Sequence, residues 1–139
     1  MPTPAVGCRA LVFDAAGKLI AADALKGLLS ISPDKKTTLL SDKLGTDPIW
    51  YADAVVVAGK GKIYLCDAFA RFAPAIWGGT FEASVLDILE QSATGRVLEY
   101  DPATRSTRIV AKGLSFANGV ALSADGKILF VAEIGRYRV

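Results

Sequence analysis

Three stretches of the chain repeat the same pattern of apolar and polar positions. Each has a short apolar run, a polar turn containing Gly-Lys, a second apolar run and then an acid. They are LVFDAAGKLIAAD (11–23), VVVAGKGKIYLCD (55–67) and VALSADGKILFVAE (120–133), which end in Asp23, Asp67 and Glu133. Apolar runs rich in Val, Ile and Leu that flank a glycine turn are typical of antiparallel β-hairpins. The pattern therefore predicts hairpins over about 10–23, 54–67 and 120–133.

Two further hairpins are predicted between these repeats. Residues 28–40 (LLSISPDKKTTLL) superimpose on residues 97–110 (VLEYDPATRSTRIV), with Pro33 on Pro102. Proline fixes φ and donates no hydrogen bond, which suits a turn and not the centre of a strand. Two successive hairpins make four antiparallel strands, and the turn glycines Gly17 and Gly61 lie 44 positions apart. That length and strand count are typical of a β-propeller blade.

A helix is predicted inside the second unit, which is longer than the first. Thr80 is a suitable N-cap residue, and Glu82 is favourable in the first turn of a helix. The following residues form one apolar stripe at i, i+4, i+7 and i+8: Phe81, Val85, Ile88 and Leu89. We predict an amphipathic helix near 81–91 whose apolar stripe packs on the blade.

The repeat predicts an all-β fold, a partial β-propeller in a single domain over residues 1–139. It has about two and a half four-stranded antiparallel blades, with units over about 7–45, 50–114 and 116–139. Propeller blades bury both faces against their neighbours, so the first and last units each have an apolar face without a neighbour. We expect Leu11, Phe13, Leu129 and Val131 on these faces, and we expect self-association into a homodimer or higher oligomer.

Composition narrows the chemistry that the chain can perform. Of its 139 residues 52% are apolar and 22% are charged, the net charge is +2, and there is no histidine. The absence of histidine excludes Ser-His-Asp and Cys-His catalysis and zinc held by histidine. The balanced charge predicts neither nucleic acid nor a membrane surface as a partner.

Cysteine usage and the N-terminus predict a compartment. Cys8 and Cys66 are too few and too far apart for a disulfide framework, so we expect two buried, inert thiols in strands. The first residues, MPTPAVGCRALVFD, lack the basic start and apolar core of a signal peptide. No apolar run approaches the roughly 18 residues of a membrane span. We therefore expect a cytoplasmic protein.

From about Leu11 onward, the chain resembles the strictosidine-synthase-like family of six-bladed propellers. The stretches that carry the resemblance are FDAAGKLIAADALKGLL, WYADAVVV, WGGTFEASVLDILE, TGRVLEYDPATRSTRIV and FANGVALSADGKILFVAEIGRYRV. The insert with its helix, followed by TGRVLEYDP, is the most specific of them. The resemblance implies the middle blades of such a propeller. Related propellers, the regucalcin- and gluconolactonase-type calcium-dependent hydrolases, hold Ca²⁺ with oxygen ligands where each innermost strand begins.

The resemblance implies two metal ligands in this chain. Counting back eight positions from each turn glycine gives Arg9, Asp53 and Asn118. Asp53 and Asn118 match ligand positions, and their oxygens suit Ca²⁺. Arg9 departs from the pattern, because it places a positive charge beside the expected cation. The alternative is that Asp53 and Asn118 only cap the local backbone through their side-chain oxygens.

Other residues have a functional and a structural interpretation. Trp50, Tyr51 and Trp77 are candidates for the lining of a small-molecule pocket, and the alternative is packing between blades. The acids that end the three hairpins recur in each unit, which favours a structural role for them.

The leading hypothesis for function is a metal-dependent hydrolase of a lactone or ester, active when the ring is complete. The cation would polarise a carbonyl oxygen and activate water. The Pictet–Spengler activity of the plant enzyme in this family uses a glutamate from a late blade, which has no counterpart in this sequence. The alternative is a truncated, non-catalytic scaffold or small-molecule-binding module that self-associates.

Overall fold

The computed structural model describes residues 7–139, which form four antiparallel sheets, two of four strands and two of two strands. Blade one pairs its strands in chain order: β1 (Cys8–Phe13), β2 (Leu19–Asp23), β3 (Gly27–Ile31) and β4 (Thr37–Ser41). A short hairpin follows, made of β5 (Lys43–Leu44) and β6 (Asp47–Pro48). Blade two contains β7 (Ala52–Val57), β8 (Ile63–Asp67), β9 (Gly95–Asp101) and β10 (Ser106–Leu114), again in chain order. Unit three is the pair β11 (Ala117–Leu122) and β12 (Leu129–Glu133).

The predicted all-β fold, a partial β-propeller, is confirmed. All five predicted hairpins are present and antiparallel. The three Gly-Lys turns recur for a backbone reason, because Gly17, Gly61 and Gly126 have φ values of +74°, +83° and +70°. Only glycine adopts this left-handed region without a steric cost. The β5–β6 hairpin was not predicted, since two-residue strands leave no alternation of apolar and polar residues to detect.

Two apolar layers hold the sheets face to face. Between blades one and two, the layer is built on the fully buried side chains Leu28, Leu65 and Leu98. Between blade two and unit three, Val97 and Cys66 are fully buried beside Ala54. Blade two therefore buries both of its faces, as the middle blade of a propeller segment should.

Helix α1 (Thr80–Glu90) lies between β8 and β9, as predicted. The face that it buries is, however, not the predicted one. The helix begins after Gly79, and Thr80 forms no side-chain cap. Ala83 and the partly buried Leu86 pack on the blade, so the predicted packing of the apolar stripe is wrong. The stripe residues point outward instead and are exposed: Phe81, Val85, Ile88 and Leu89. Within residues 7–139, no helix is long and apolar enough to cross a membrane.

The inner side of α1 buries a carboxyl group. Asp87 is fully buried, and among the described residues its Oδ2 has no hydrogen-bond partner. Its Oδ1 receives only a long hydrogen bond, 3.5 Å, from the hydroxyl of Ser92. Burial raises the pKa of Asp87 to about 6, because the charged form loses its hydration.

Two expectations about exposure need correction. Cys8 is exposed on β1, and only Cys66 is buried. Leu11 and Phe13 are exposed as expected, whereas Leu129 and Val131 pack against the layer between blade two and unit three. Successive strand residues face opposite sides of a sheet. Ile128 and Phe130, which alternate with Leu129 and Val131, are therefore the exposed residues.

The acids that end the second strand of each unit bind backbone N–H groups, which confirms their structural role. Asp67 accepts hydrogen bonds from the N–H groups of Trp50 and Tyr51 at 3.0 and 2.7 Å. Its second oxygen accepts one from Nε of Arg96 at 2.8 Å. Glu133 similarly accepts from the N–H of Ser115 at 2.7 Å. Asp23 instead accepts from two N–H groups of the adjacent turn, those of Leu25 and Lys26.

Replacing Asp67 with Ala is expected to destabilise the fold by about 3–5 kcal/mol, because it removes two buried acceptors and leaves Arg96 without its buried partner. Asp67→Asn should cost less, since an amide oxygen remains for the two N–H groups. Urea unfolding followed by circular dichroism measures both changes. Asp101→Ala, at a partly exposed acid, is the control and should cost under about 1 kcal/mol. A loss for Asp67→Ala no larger than that of the control would contradict the structural role.

The stability of the protein should fall as pH rises through the pKa of Asp87, about 6. The folded pKa is raised, so the neutral acid is favoured in the fold and its contribution is complete only below the unfolded value near 4. Asp87→Asn should therefore stabilise the protein at pH 7 by about 1–3 kcal/mol and have little effect at pH 4. Thermal melts of both proteins across this range test the prediction, and parallel curves would refute it.

Candidate functional site

Each innermost strand has a one-residue bulge at the same position. In β1, Cys8 pairs with Asp23 and Ala10 with Ala22, which leaves Arg9 unpaired between them. The same register shift leaves Asp53 between Ala52 and Ala54 in β7, and Asn118 between Ala117 and Gly119 in β11. β7 contacts both β1 and β11 across the sheets. Bulges re-aim a side chain and are frequent beside active sites, so the three equivalent residues define the candidate site.

The structure brings two of the three bulge residues into contact. Nε of Arg9 donates to Oδ1 of Asp53 at 3.0 Å, and the Arg9 guanidinium lies 5.8 Å from the centre of the Tyr51 ring. Asp53 is buried, whereas Arg9 is 42% exposed. Burial raises the pKa of Asp53, and the hydrogen bond from Arg9 opposes this. Of the two carboxylate oxygens of Asp53, only Oδ1 accepts a hydrogen bond from another side chain within residues 7–139. Its Oδ2 is therefore left for another ligand.

Asn118 lies at the equivalent bulge of β11 and is half-buried. Its neighbour Gly119 touches blade two, because the Gly119 carbonyl accepts from Sγ of Cys66 at 3.6 Å. In the described part of the chain, no group of three or more Asp, Glu, Cys or His side chains is placed to hold a metal. The carboxylate oxygen of Asp53 and the amide oxygen of Asn118 are ligand types that Ca²⁺ binds. Arg9 competes with a cation for the carboxylate of Asp53. The metal site stays a prediction.

The three aromatic candidates lie in different environments. Tyr51 is fully buried beneath α1, with its ring 4.8 Å from that of Phe69, and burial raises the pKa of its hydroxyl. Trp50 is half-buried, and its Nε1 donates to Asp47 at 3.3 Å. Trp77 is 46% exposed and packs edge-on against Phe72. The structure therefore places Tyr51 beside Arg9 at the candidate site, while Trp77 lies on the surface before α1.

A cavity of about 420 Å³ that the sequence pattern does not predict lies between blades one and two. It lies at the hairpin turns, at the opposite end of β1 and β7 from the bulges. Its lining is mostly apolar and includes Val57, Ile63, Tyr100 and Pro102, with Lys18 as its basic residue. The alternation of apolar residues predicts that these side chains face between blades, but only the packing distance between two sheets creates the space.

Comparison with known proteins places this architecture in a family. A sequence model of the family described as strictosidine synthase matches residues 53–139. Strictosidine synthase-like protein 4 of Arabidopsis thaliana is 42% identical over 116 residues, covering 83% of this chain and 30% of that protein. The human adipocyte plasma membrane-associated protein is 32% identical, covering 88% of the chain and 29% of that protein. The chain thus spans about a third of the length of these relatives.

Solved structures support the fold. A gluconolactonase from Xanthomonas campestris superimposes with a TM-score of 0.72 at 18% identity, over 91% of this chain and 40% of that one. An auxiliary nutrient binding protein from Bacteroides ovatus superimposes with a TM-score of 0.57 at 17% identity, over 94% of this chain and 27% of that one. Two complete blades, the helix-bearing insert and the matched residues lead to one conclusion: the chain belongs to the strictosidine synthase family.

Proposed function

We propose that this chain contributes part of a cation site to a propeller that hydrolyses a lactone or ester. The observation that supports it best is the recurrence of one bulge in three innermost strands, with oxygen donors at two of them, Asp53 and Asn118. The structural similarity to a gluconolactonase agrees with a lactone as the substrate class. The complete activity would also need blades that longer relatives have.

Asp53 would hold the cation through Oδ2, and Asn118 would add its amide oxygen. A bound Ca²⁺ would polarise the substrate carbonyl and lower the pKa of a water molecule. Arg9 regulates this arrangement, because its guanidinium donates to Asp53 and repels a second positive charge. Its side chain is 42% exposed and free to turn toward solvent. Cation binding and the Arg9–Asp53 ion pair should therefore exclude each other in part.

Calcium binding by the wild-type chain is expected to be weak, with a Kd of about 1 mM, since two protein ligands leave most of the coordination shell to water. Arg9→Ala should tighten it by about tenfold by removing the competing charge. Asp53→Asn should weaken it below detection. Isothermal titration calorimetry with CaCl₂ measures all three, with Asp125→Asn, at an exposed hairpin turn, as the control. Tight binding that survives Asp53→Ala would place the site elsewhere.

Lactone hydrolysis distinguishes an enzyme from a binding module. Proton release from a sugar lactone by a complete propeller that includes this segment, followed with Ca²⁺ and then with excess EDTA, should depend on both Asp53 and the metal. Metal binding without hydrolysis would favour the non-catalytic alternative.

A second candidate function, a self-associating scaffold, is favoured by the free face of blade one. Leu11 and Phe13 occupy the repeat positions of Val55 and Val57, which pack against blade one within the chain. Leu11 is 55% and Phe13 69% exposed. We propose that a second copy covers this face with the exposed side of unit three, where Phe130 and the edge of β12 lie.

Sedimentation equilibrium tests this association. The wild-type chain should sediment above its 14.6 kDa monomer mass at micromolar concentration. Leu11→Lys combined with Phe13→Lys should shift it to monomer, because buried lysines would lose their hydration at the interface. Lys60→Glu, at an exposed turn, serves as the control and should leave the mass unchanged. A wild-type protein that is already a folded monomer would refute the proposal.

A further inference from the structure

The outward side of helix α1 is an apolar surface that no other described element covers. We call the outer face the six side chains that the helix and the preceding turn present there: Ile76, Trp77, Phe81, Val85, Ile88 and Leu89. Ile76, Phe81 and Leu89 are 70%, 75% and 77% exposed. Soluble monomers rarely expose contiguous apolar patches of more than a few hundred Å². Helix α1 buries Ala83, Asp87 and part of Leu86 while its larger number of apolar side chains stays exposed, so a partner for the exposed side is expected.

The fold holds the outer face in a fixed orientation. Ala83 and Leu86 pack into the cluster built on Tyr51 and Phe69. At the C-terminal end of the helix, the side chain of Gln91 donates to the carbonyl of Gly135 at 3.0 Å. These contacts attach α1 to both blade two and unit three, so the helix cannot easily rotate to bury its apolar stripe.

The outer face lies at the same end of the propeller as the candidate site. The connection that contains α1 leaves β8 after Asp67, and Asp67 pairs with Ala52 at the start of β7. The next residue, Asp53, is the bulge at the candidate site. Tyr51 links the two features directly, because it packs under α1 and lies beside the guanidinium of Arg9.

Charge limits what can bind to the outer face. The helix contains three acids and no lysine or arginine. Asp87 is buried, and Glu90 forms an ion pair at 2.6 Å with Arg71. Within residues 7–139, Glu82 forms no ion pair, so the border of the outer face carries one uncompensated negative charge. Such a surface has no attraction for anionic groups.

We propose that the outer face of α1 inserts into a zwitterionic lipid surface and holds the site-bearing end of the propeller against it. Interfacial helices lie in the membrane plane with their apolar side chains in the boundary between headgroups and acyl chains. Trp77 and Phe81 are residue types suited to that boundary. This proposal departs from the expectation, drawn from the balanced net charge, that no membrane surface is a partner. The attachment is hydrophobic and needs no excess of positive charge.

A protein partner is less favoured by the shape of this surface. Protein interfaces concentrate their binding energy in side chains that fill pockets. The cavities of this fold lie between blades or beside strands and are lined by other residues. The outer face is instead the convex side of a helix, in which every large side chain projects away from the protein.

Binding to phosphatidylcholine vesicles tests the proposal. Co-sedimentation gives the partition coefficient of the full chain, and Trp77 reports insertion by a blue shift once Trp50→Phe has removed the other of the two tryptophans. Phe81→Glu combined with Leu89→Glu should lower the partition coefficient at least about tenfold. Both side chains are largely exposed, so circular dichroism should show an unchanged fold.

The matched control is Ile109→Glu combined with Val110→Glu on β10, which also replaces two exposed apolar residues. It should change vesicle binding by less than about twofold, as should EDTA, because the surface is separate from the metal site. Binding should not increase when half of the lipid is phosphatidylglycerol, and it should not fall at high salt.

Equal losses in both double variants, binding that requires anionic lipid, or no vesicle binding by the wild type would each overturn the proposal. A change of sedimenting mass in the α1 variant without vesicle binding would identify the outer face as a protein interface instead.

Discussion

At the end of β8, both carboxylate oxygens of Asp67 are engaged inside the protein. One oxygen accepts from two backbone N–H groups just before β7, and the other accepts from Arg96 on β9. This one side chain fixes the approach to the innermost strand, the end of the second strand and the start of the third. Glu133 makes the corresponding backbone contact in unit three. Because these acceptors are buried, each bond is costly to lose.

The candidate site lies where each innermost strand begins. There the bulge comes at the second residue of the strand and leaves Arg9, Asp53 or Asn118 out of the ladder. Arg9 and Asp53 then meet at 3.0 Å although they are 44 residues apart in the chain. The repeat thus carries its chemistry in the same place in each unit, while the identity of the side chain changes from basic to acidic to amide.

Helix α1 shows how a connection can add a second surface to the same end of the molecule. Its contact with the blades is built from a small residue, Ala83, one leucine and the buried Asp87. Large apolar side chains remain outside, so the insertion costs the propeller little of its own packing. Burial also raises the pKa of Asp87 to about 6, so this contact contains a carboxyl group that is favoured in its neutral form.

The amino-acid sequence by itself determined the repeat, the hairpins and the blade size, because these follow from the two-residue alternation of strands and from glycines that only a left-handed turn requires. It also located Asp53 and Asn118, since equal distance from a turn means equal register. Three features were decided only by tertiary structure. The apolar stripe of α1 predicts a buried face, yet the face of α1 that packs on the blade is the one that carries Ala83. Leu129 and Phe130 differ in exposure only because unit three packs on blade two with one side of its sheet. The ion pair of Arg9 with Asp53 exists because two sheets stack, and a linear pattern contains no information about which residues of different units approach each other.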